Sequence, residues 1–123
     1  MGFSDTIFGS KPSDDTSSLQ WNSLTELSQL DAIVKDSNTK TQVIFKHSIR
    51  CGISSAVLKQ FKKKTIEDSV DLHLLDLINY RTLSNEIASK FNVIHQSPQL
   101  LIIKSGKATK HDSHYDLLNL EIE

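Results

Sequence analysis

An α/β fold, a central mixed sheet of four or five strands with helices on both faces, is what this sequence predicts, and three observations carry the prediction. Apolar spacing switches along the chain between a helical period and short β-favouring runs. The segments alternate as helix, strand, helix, strand, helix, strand, strand, helix, which favours strands joined by right-handed crossovers. The length, 123 residues, suits one hydrophobic core rather than two.

Taken in order, residues 1–18, "MGFSDTIFGSKPSDDTSS", set polar and turn-forming residues around two apolar spots. They read as a mobile or loosely packed lead-in to a domain spanning residues 19–123, with Phe3, Ile7 and Phe8 able to dock on its body. The short "LQW" that follows reads as an edge strand, with Trp21 as a packing residue. Leu24, Leu27, Leu30, Ile33 and Val34 then recur every three or four residues and predict an amphipathic helix over 23–36. Ser23 or Asn22 would cap it, and Glu26 would complete a capping box with Ser23. "SNTK" breaks the helix, and "TQVIFKHS" predicts a strand around Val43, Ile44 and Phe45.

The next helix carries Ile53, Val57, Leu58 and Phe61 on one face, with Lys59, Lys62 and Lys63 largely off it. "SVDLHLLDL" is another apolar strand, in which Asp71 and Asp76 read as strand-end polar residues. Leu83, Ile87, Ala88 and Phe91 mark a short helix. Leu100 to Ile103 is a buried strand, Ser105-Gly106 a turn, and Lys107 onward the second arm of a hairpin. "SHYDLLNLEIE" predicts a short closing helix.

Fourteen basic side chains against fifteen acidic ones leave a formal charge of -1, so the whole chain offers no nucleic-acid footprint. The run Lys59, Lys62, Lys63, Lys64 reads as a solvated helix end. Neither a signal-peptide pattern nor an apolar run of membrane-spanning length is visible, which points to a reducing cytoplasm. The five histidines make no metal pattern: His111 and His114 are close in sequence, but His47, His73 and His95 fall in different elements. No Gly-rich dinucleotide loop is present, so no tightly bound nicotinamide is expected.

The chemistry then converges on the one cysteine, in "KHSIRCGISSAVLKQF". Cys51 falls where the second strand gives way to a helix, just past the strand's carboxyl end, a place where a rigid scaffold positions loop residues. A thiol reacts as its anion, and the unpartnered N–H groups of a helix start stabilise negative sulfur. Arg50 adds a permanent positive charge one residue away, and His47 and Lys46 add to it if the turn folds toward the sulfur. Ser54 lies about one helical turn beyond and can hydrogen-bond a sulfur but not form a disulfide. With one cysteine the available cycle is monothiol: attack on a disulfide, a mixed disulfide, and release by an outside thiol. Two readings stand here. Free cysteine is also among the most buried residue types, and His47 and Ser54 read equally well as a strand-end and a first-turn residue.

A second local feature is "HQSPQLLII", where Pro98 precedes a strand. A cis Ser97-Pro98 bond would leave neighbouring backbone groups free to pair with an extended partner.

These stretches in their order, "FKHSIRCGIS", "LDLINYRTLSNEIASKFNV" and "HQSPQLLIIKSGKATKHDSHYDL", cover most of residues 20–118. They resemble the monothiol bacilliredoxin family, also called YtxJ-like proteins, within the thioredoxin-like superfamily. The resemblance implies a thioredoxin-like fold and removal of bacillithiol, a small cytoplasmic thiol, from protein mixed disulfides. It makes Cys51 the nucleophile, puts Ser54 in the place of the second cysteine of dithiol relatives, and makes Pro98 the cis proline facing the sulfur. Ser97, His47 and Gly52 would help to align the partner. It further implies S-bacillithiolated client proteins and bacillithiol as partners, and a separate flavoprotein reductase using NADPH. The family form has proline directly after the nucleophile where this chain has Gly52, which loosens the turn. "CGIS" is also similar to the Cys-Gly-Phe-Ser site of monothiol glutaredoxins, which implies a dimeric iron-sulfur carrier as an alternative. A non-catalytic adaptor on the same fold is the other.

Overall fold

Alternating strand and helix is also what the computed structural model of the chain contains, over residues 19–122, which are those it describes. The lead-in expected over 1–18 lies outside the described residues. The elements are β1 (Trp21–Ser23), α1 (Ser28–Asp36), β2 (Thr41–His47), α2 (Gly52–Phe61), β3 (Val70–Asp76), α3 (Arg81–Phe91), β4 (Gln99–Lys104), β5 (Lys107–Ser113) and a closing 3-10 turn, His114–Asn119.

The sheet runs β1-β3-β2-β4-β5, with β3 parallel to both β1 and β2, and β4 antiparallel to β2 and to β5. Both faces of the central strands are covered, which is why β2 and β4 read as nearly continuous apolar runs. Ile44, Leu101 and Ile103 face Leu30 and Ile33 of α1 and Leu83, Ile87 and Phe91 of α3. Val43, Phe45, Leu100 and Ile102 face Val57, Leu58 and Phe61 of α2, with Leu117 of the closing turn. Trp21 packs at 6.1 Å from the Phe45 ring and 5.8 Å from the Phe61 ring. Ser105 and Gly106 both have positive φ, 52° and 77°, as the two central residues of a tight hairpin turn between twisted strands require.

Four expectations are corrected. Ser23 does not cap α1 and Glu26 completes no capping box. Ser23 is drawn into β1 opposite Leu74, and the Leu24 N–H donates to the Leu74 carbonyl. The helix starts at Ser28 without a side-chain cap, and Gln29 holds the entry instead: its Oε1 accepts from the N–H groups of Thr25 and Glu26, and its Nε2 donates to the Ser23 carbonyl. Strand pairing has overridden a local capping signal. Leu27 therefore precedes the helix and is exposed. In α2 the buried stripe is Ser54, Val57, Leu58 and Phe61. Ile53 lies at its edge, 44% exposed, and a serine takes the inward place. The closing helix is a 3-10 turn with only Leu117 buried.

Candidate active site

The site is built where β2 runs out. Lys46 pairs with Gln99 in the β2–β4 ladder, so Pro98, one residue before Gln99, lies at the same sheet end as the 48–51 connection. Ile49 and Arg50 form an exposed turn, closed by the Cys51 N–H donating to the Ser48 carbonyl at 3.1 Å. Cys51 has extended backbone, φ -106° and ψ 120°, and is the N-cap of α2. Its carbonyl accepts the first helical bond, from the Ser55 N–H at 3.1 Å. The side chain makes no capping bond, and the thiol is free and half-buried. Helix-start N–H groups at residues 52–54 lie beside it without intrahelical partners. Ile49 and Ile53 expose apolar surface on either side of it in sequence.

Ser54 is fully buried. Its Oγ accepts from the Ser48 N–H at 3.0 Å and lies 2.7 Å from His47 Nδ1. A hydroxyl has one proton, and in a buried position that proton needs an acceptor. The arrangement that satisfies every atom has the Ser54 O–H donating to an unprotonated Nδ1, with the His47 proton on Nε2. Burial is the main cause holding His47 below the ordinary imidazole value; Lys62 acts in the same direction and Asp76 against it. Ser54 thus ties the start of α2 to the end of β2, and no hydrogen bond joins it to the sulfur.

The remaining predicted residues distribute as follows. Arg50 is exposed and takes part in neither ion pair of the described residues. Gly52 opens α2, where an added Cβ would meet nothing within 4 Å. The Ser97-Pro98 peptide is cis. Pro98 is buried, with its carbonyl accepting from the His114 N–H at 3.0 Å, and the buried Ser97 Oγ has no partner. Asp76 accepts from the N–H groups of Ile78 and Asn79, and Asp71 pairs with Lys40 and Gln42, so both hold structure. No group of three or more His, Cys, Asp or Glu comes together among the described residues.

The sequence has Lys46 adding charge near the sulfur if the turn folds toward it. Instead it is fully buried on the α1/α3 face, with Nζ donating to the Ser84 carbonyl at 3.1 Å and lying 3.2 Å from His95 Nδ1. Strand alternation carried the signal: Lys46 is two residues from Ile44 and shares its face. Burial lowers its amine from the ordinary 10.5 to about 8.

A surface depression lined by Leu19, Gln20, Lys40, Glu67 and Asp71 among others is at the opposite end of the sheet. Cys51 itself is half-buried, between the exposed Arg50 and Gly52.

Comparison with known proteins agrees with this geometry. The family model described as "Monothiol bacilliredoxin BrxC" matches residues 22–122. One similar solved structure, described as a candidate oxidoreductase with a thioredoxin fold, is 31% identical with a TM-score of 0.69, covering 79% of this chain and 85% of its own. Thioredoxin from Malassezia sympodialis aligns at TM-score 0.67 and 15% identity, covering 85% and 87% of the two chains. Thioredoxin from Trypanosoma brucei brucei aligns at 0.64 and 21%, covering 85% and 88%. The last two speak for the thioredoxin fold alone.

Proposed function

The chain belongs to the monothiol bacilliredoxin family and is a thiol-disulfide oxidoreductase with a single catalytic cysteine, and from that premise we propose that Cys51 removes bacillithiol from protein mixed disulfides. The observation that carries the reading is the placement of the one sulfur: half-buried, free, and at the first turn of a helix without a capping bond of its own. The unpartnered N–H groups there are donors from which a reacting sulfur can accept, and the exposed Arg50 is its chain neighbour.

In the reaction, the Cys51 thiolate attacks the bacillithiol sulfur of a client mixed disulfide. A disulfide forms between Cys51 and bacillithiol, the client sulfur leaves as thiolate, and it takes a proton from water. A second bacillithiol thiolate attacks the bacillithiol sulfur of that adduct, which frees Cys51 and yields bacillithiol disulfide. A separate flavoprotein reductase drawing electrons from NADPH returns that disulfide to the thiol. This chain contributes the sulfur, the helix-start N–H donors of α2, and the backbone at Ser97 and Pro98 that aligns an extended client. Ser54, His47 and Gly52 shape the loop that presents the sulfur. The cycle suits a reducing cytoplasm; no helix of the described residues is long and apolar enough to cross a membrane.

The test is to incubate the protein with a bacillithiolated client and follow both by intact mass. The expected result is a bacillithiol adduct on Cys51 with recovery of the client thiol, and its complete loss in Cys51→Ser. A wild-type protein that neither acquires the adduct nor repairs the client, while another thiol donor does so, overturns the reading.

A further inference from the structure

We propose that Lys46, buried, and His95, half-buried, form a latch that holds the 93–98 loop where it receives the client disulfide, making both of them positioning residues for exchange at Cys51. The inference rests on the reading of Cys51 as the exchange nucleophile.

A fully buried lysine is ordinarily matched by a carboxylate, and Lys46 has none: neither ion pair among the described residues includes it. Its recorded partners are the Ser84 carbonyl on α3 and His95 Nδ1 in the α3–β4 loop. The Ser84 hydroxyl also reaches Nδ1, at 3.3 Å. Two donors therefore converge on one imidazole nitrogen, which serves as acceptor only while it carries no proton. His95 precedes Ser97 and Pro98 by two and three residues. The further side-chain tie on this loop is Gln99 Nε2 donating to the Ile94 carbonyl at 2.9 Å. Beside it, Ser97 Oγ and Gln99 Oε1 are buried without partners, so the loop is not held by a dense polar network of its own.

The groups acting on the His95 ring are Lys46 from β2 and Arg81 from α3, both cationic, and no carboxylate is among them. Burial first, then these two charges, hold His95 below the usual imidazole value. Protonation would turn Nδ1 from an acceptor into a donor facing the Lys46 ammonium and would release the latch.

Two reactions of the full chain separate this role from a general one. Alkylation of Cys51 by iodoacetamide reports the sulfur alone; exchange with a bacillithiolated peptide also needs the loop. Lys46→Met and His95→Ala are expected to slow exchange about tenfold or more, as misplacing an intact reacting pair does, with alkylation within about twofold of wild type. His95→Gln, whose amide oxygen accepts at any pH, is expected to retain exchange. It should also lose the decline expected of wild type as pH falls below the ordinary 6.5, once exchange is divided by the alkylation rate. Exchange at the wild-type rate in Lys46→Met, alkylation falling in step with exchange, or the same acid decline in His95→Gln would each overturn the latch. His95→Gln decides the matter if His95→Ala does not fold. A wild type that is alkylated but exchanges with no mixed disulfide overturns the reading of Cys51 itself, and the latch with it.

Discussion

Replacing Lys46 by methionine should make the protein more stable while impairing it. The side chain is fully buried, and its amine is lowered from 10.5 to about 8 with burial as the cause. Between those two values the unfolded chain holds a proton that the native chain has released, so native stability climbs with pH across that window. Below about 8 both states are charged, and the native state carries the whole cost of a desolvated ammonium. At about 1.4 kcal/mol per pH unit, that cost is roughly 3 kcal/mol. Methionine matches the length, avoids the charge, and forgoes amine hydrogen bonds worth about 1 kcal/mol net. Neither former partner depends on the amine alone: His95 Nδ1 still meets the Ser84 hydroxyl, and the Ser84 carbonyl has a place in the helix ladder. The variant should therefore gain about 2 kcal/mol at neutral pH, read as a higher urea midpoint at unchanged slope. The gain should shrink above about pH 8, reach zero at about pH 9.5, and give way to a deficit of about 1 kcal/mol above 10.5, where only the forgone hydrogen bonds remain. A variant less stable than wild type at pH 7, or a difference flat in pH, would refute the reasoning.

Three further outcomes follow from the same geometry. Ser54→Ala strips a buried hydroxyl from the Ser48 N–H and from His47 Nδ1 and should cost about 1–3 kcal/mol while retaining part of the exchange activity; an unchanged melting temperature would contradict the assigned bonds. Gly52→Pro should be tolerated and should stabilise by about 0.5–1 kcal/mol through the unfolded state. Cys51 already has the extended conformation that a following proline demands, and open space surrounds Gly52; a lower denaturation midpoint would count against the description of the helix start. His47, His73 and His95 are each held below the ordinary 6.5, with burial as the largest cause. Their stabilising contribution is complete above 6.5 and is lost as pH falls through their depressed native values, so the urea midpoint should drop on going from about pH 7 to about pH 5; an unchanged midpoint would show that these imidazoles titrate freely in the native state.

Where hydrophobic period and burial coincide, the architecture was legible in the chain. The runs around Val43–Phe45 and Leu100–Ile103 are buried on both faces, and the Ser105-Gly106 turn meets a conformational requirement that few residue pairs satisfy. The errors arose where a non-local partner outbid a local preference. Ser23 has the chemistry of an N-cap, but pairing with β3 claims it. Ile53 has the spacing of a core residue, but the inward position belongs to Ser54, whose polarity is satisfied by residues six and seven positions back. Cys51 could be placed at a helix start from composition and period alone. The significance of Pro98 came from the resemblance, since most X-Pro bonds are trans. Lys46 is close to Cys51 in the chain, but strand alternation turns it to the α1/α3 face, away from the sulfur. Its partners, 38 and 49 residues away, are invisible to local pattern.

Both faces of the sheet end now share one design constraint. On the α2 side a hydroxyl proton must have somewhere to go, and the bare Nδ1 of His47 provides it. On the α3 side two donors, an amine and a hydroxyl, must have somewhere to go, and the bare Nδ1 of His95 provides it. Burial is the first cause lowering each imidazole, the donors beside each Nδ1 suit the unprotonated form, and each ring secures one of the two segments that an exchange reaction must bring together: the connection carrying Cys51 and the loop carrying Pro98. Acidification would thus act on the scaffold as well as on the sulfur. Protonating either ring leaves donor facing donor at a half-buried place, at a cost toward the low end of that for an unpaired buried polar group, about 1 kcal/mol. The acid limb of exchange should consequently be steeper than that of Cys51 alkylation. Combining His95→Gln with a His47 variant that keeps an acceptor at the Nδ1 position, His47→Asn, should bring the two limbs together. If the limbs coincide in the wild type, the imidazoles are spectators and the sulfur alone sets the pH dependence.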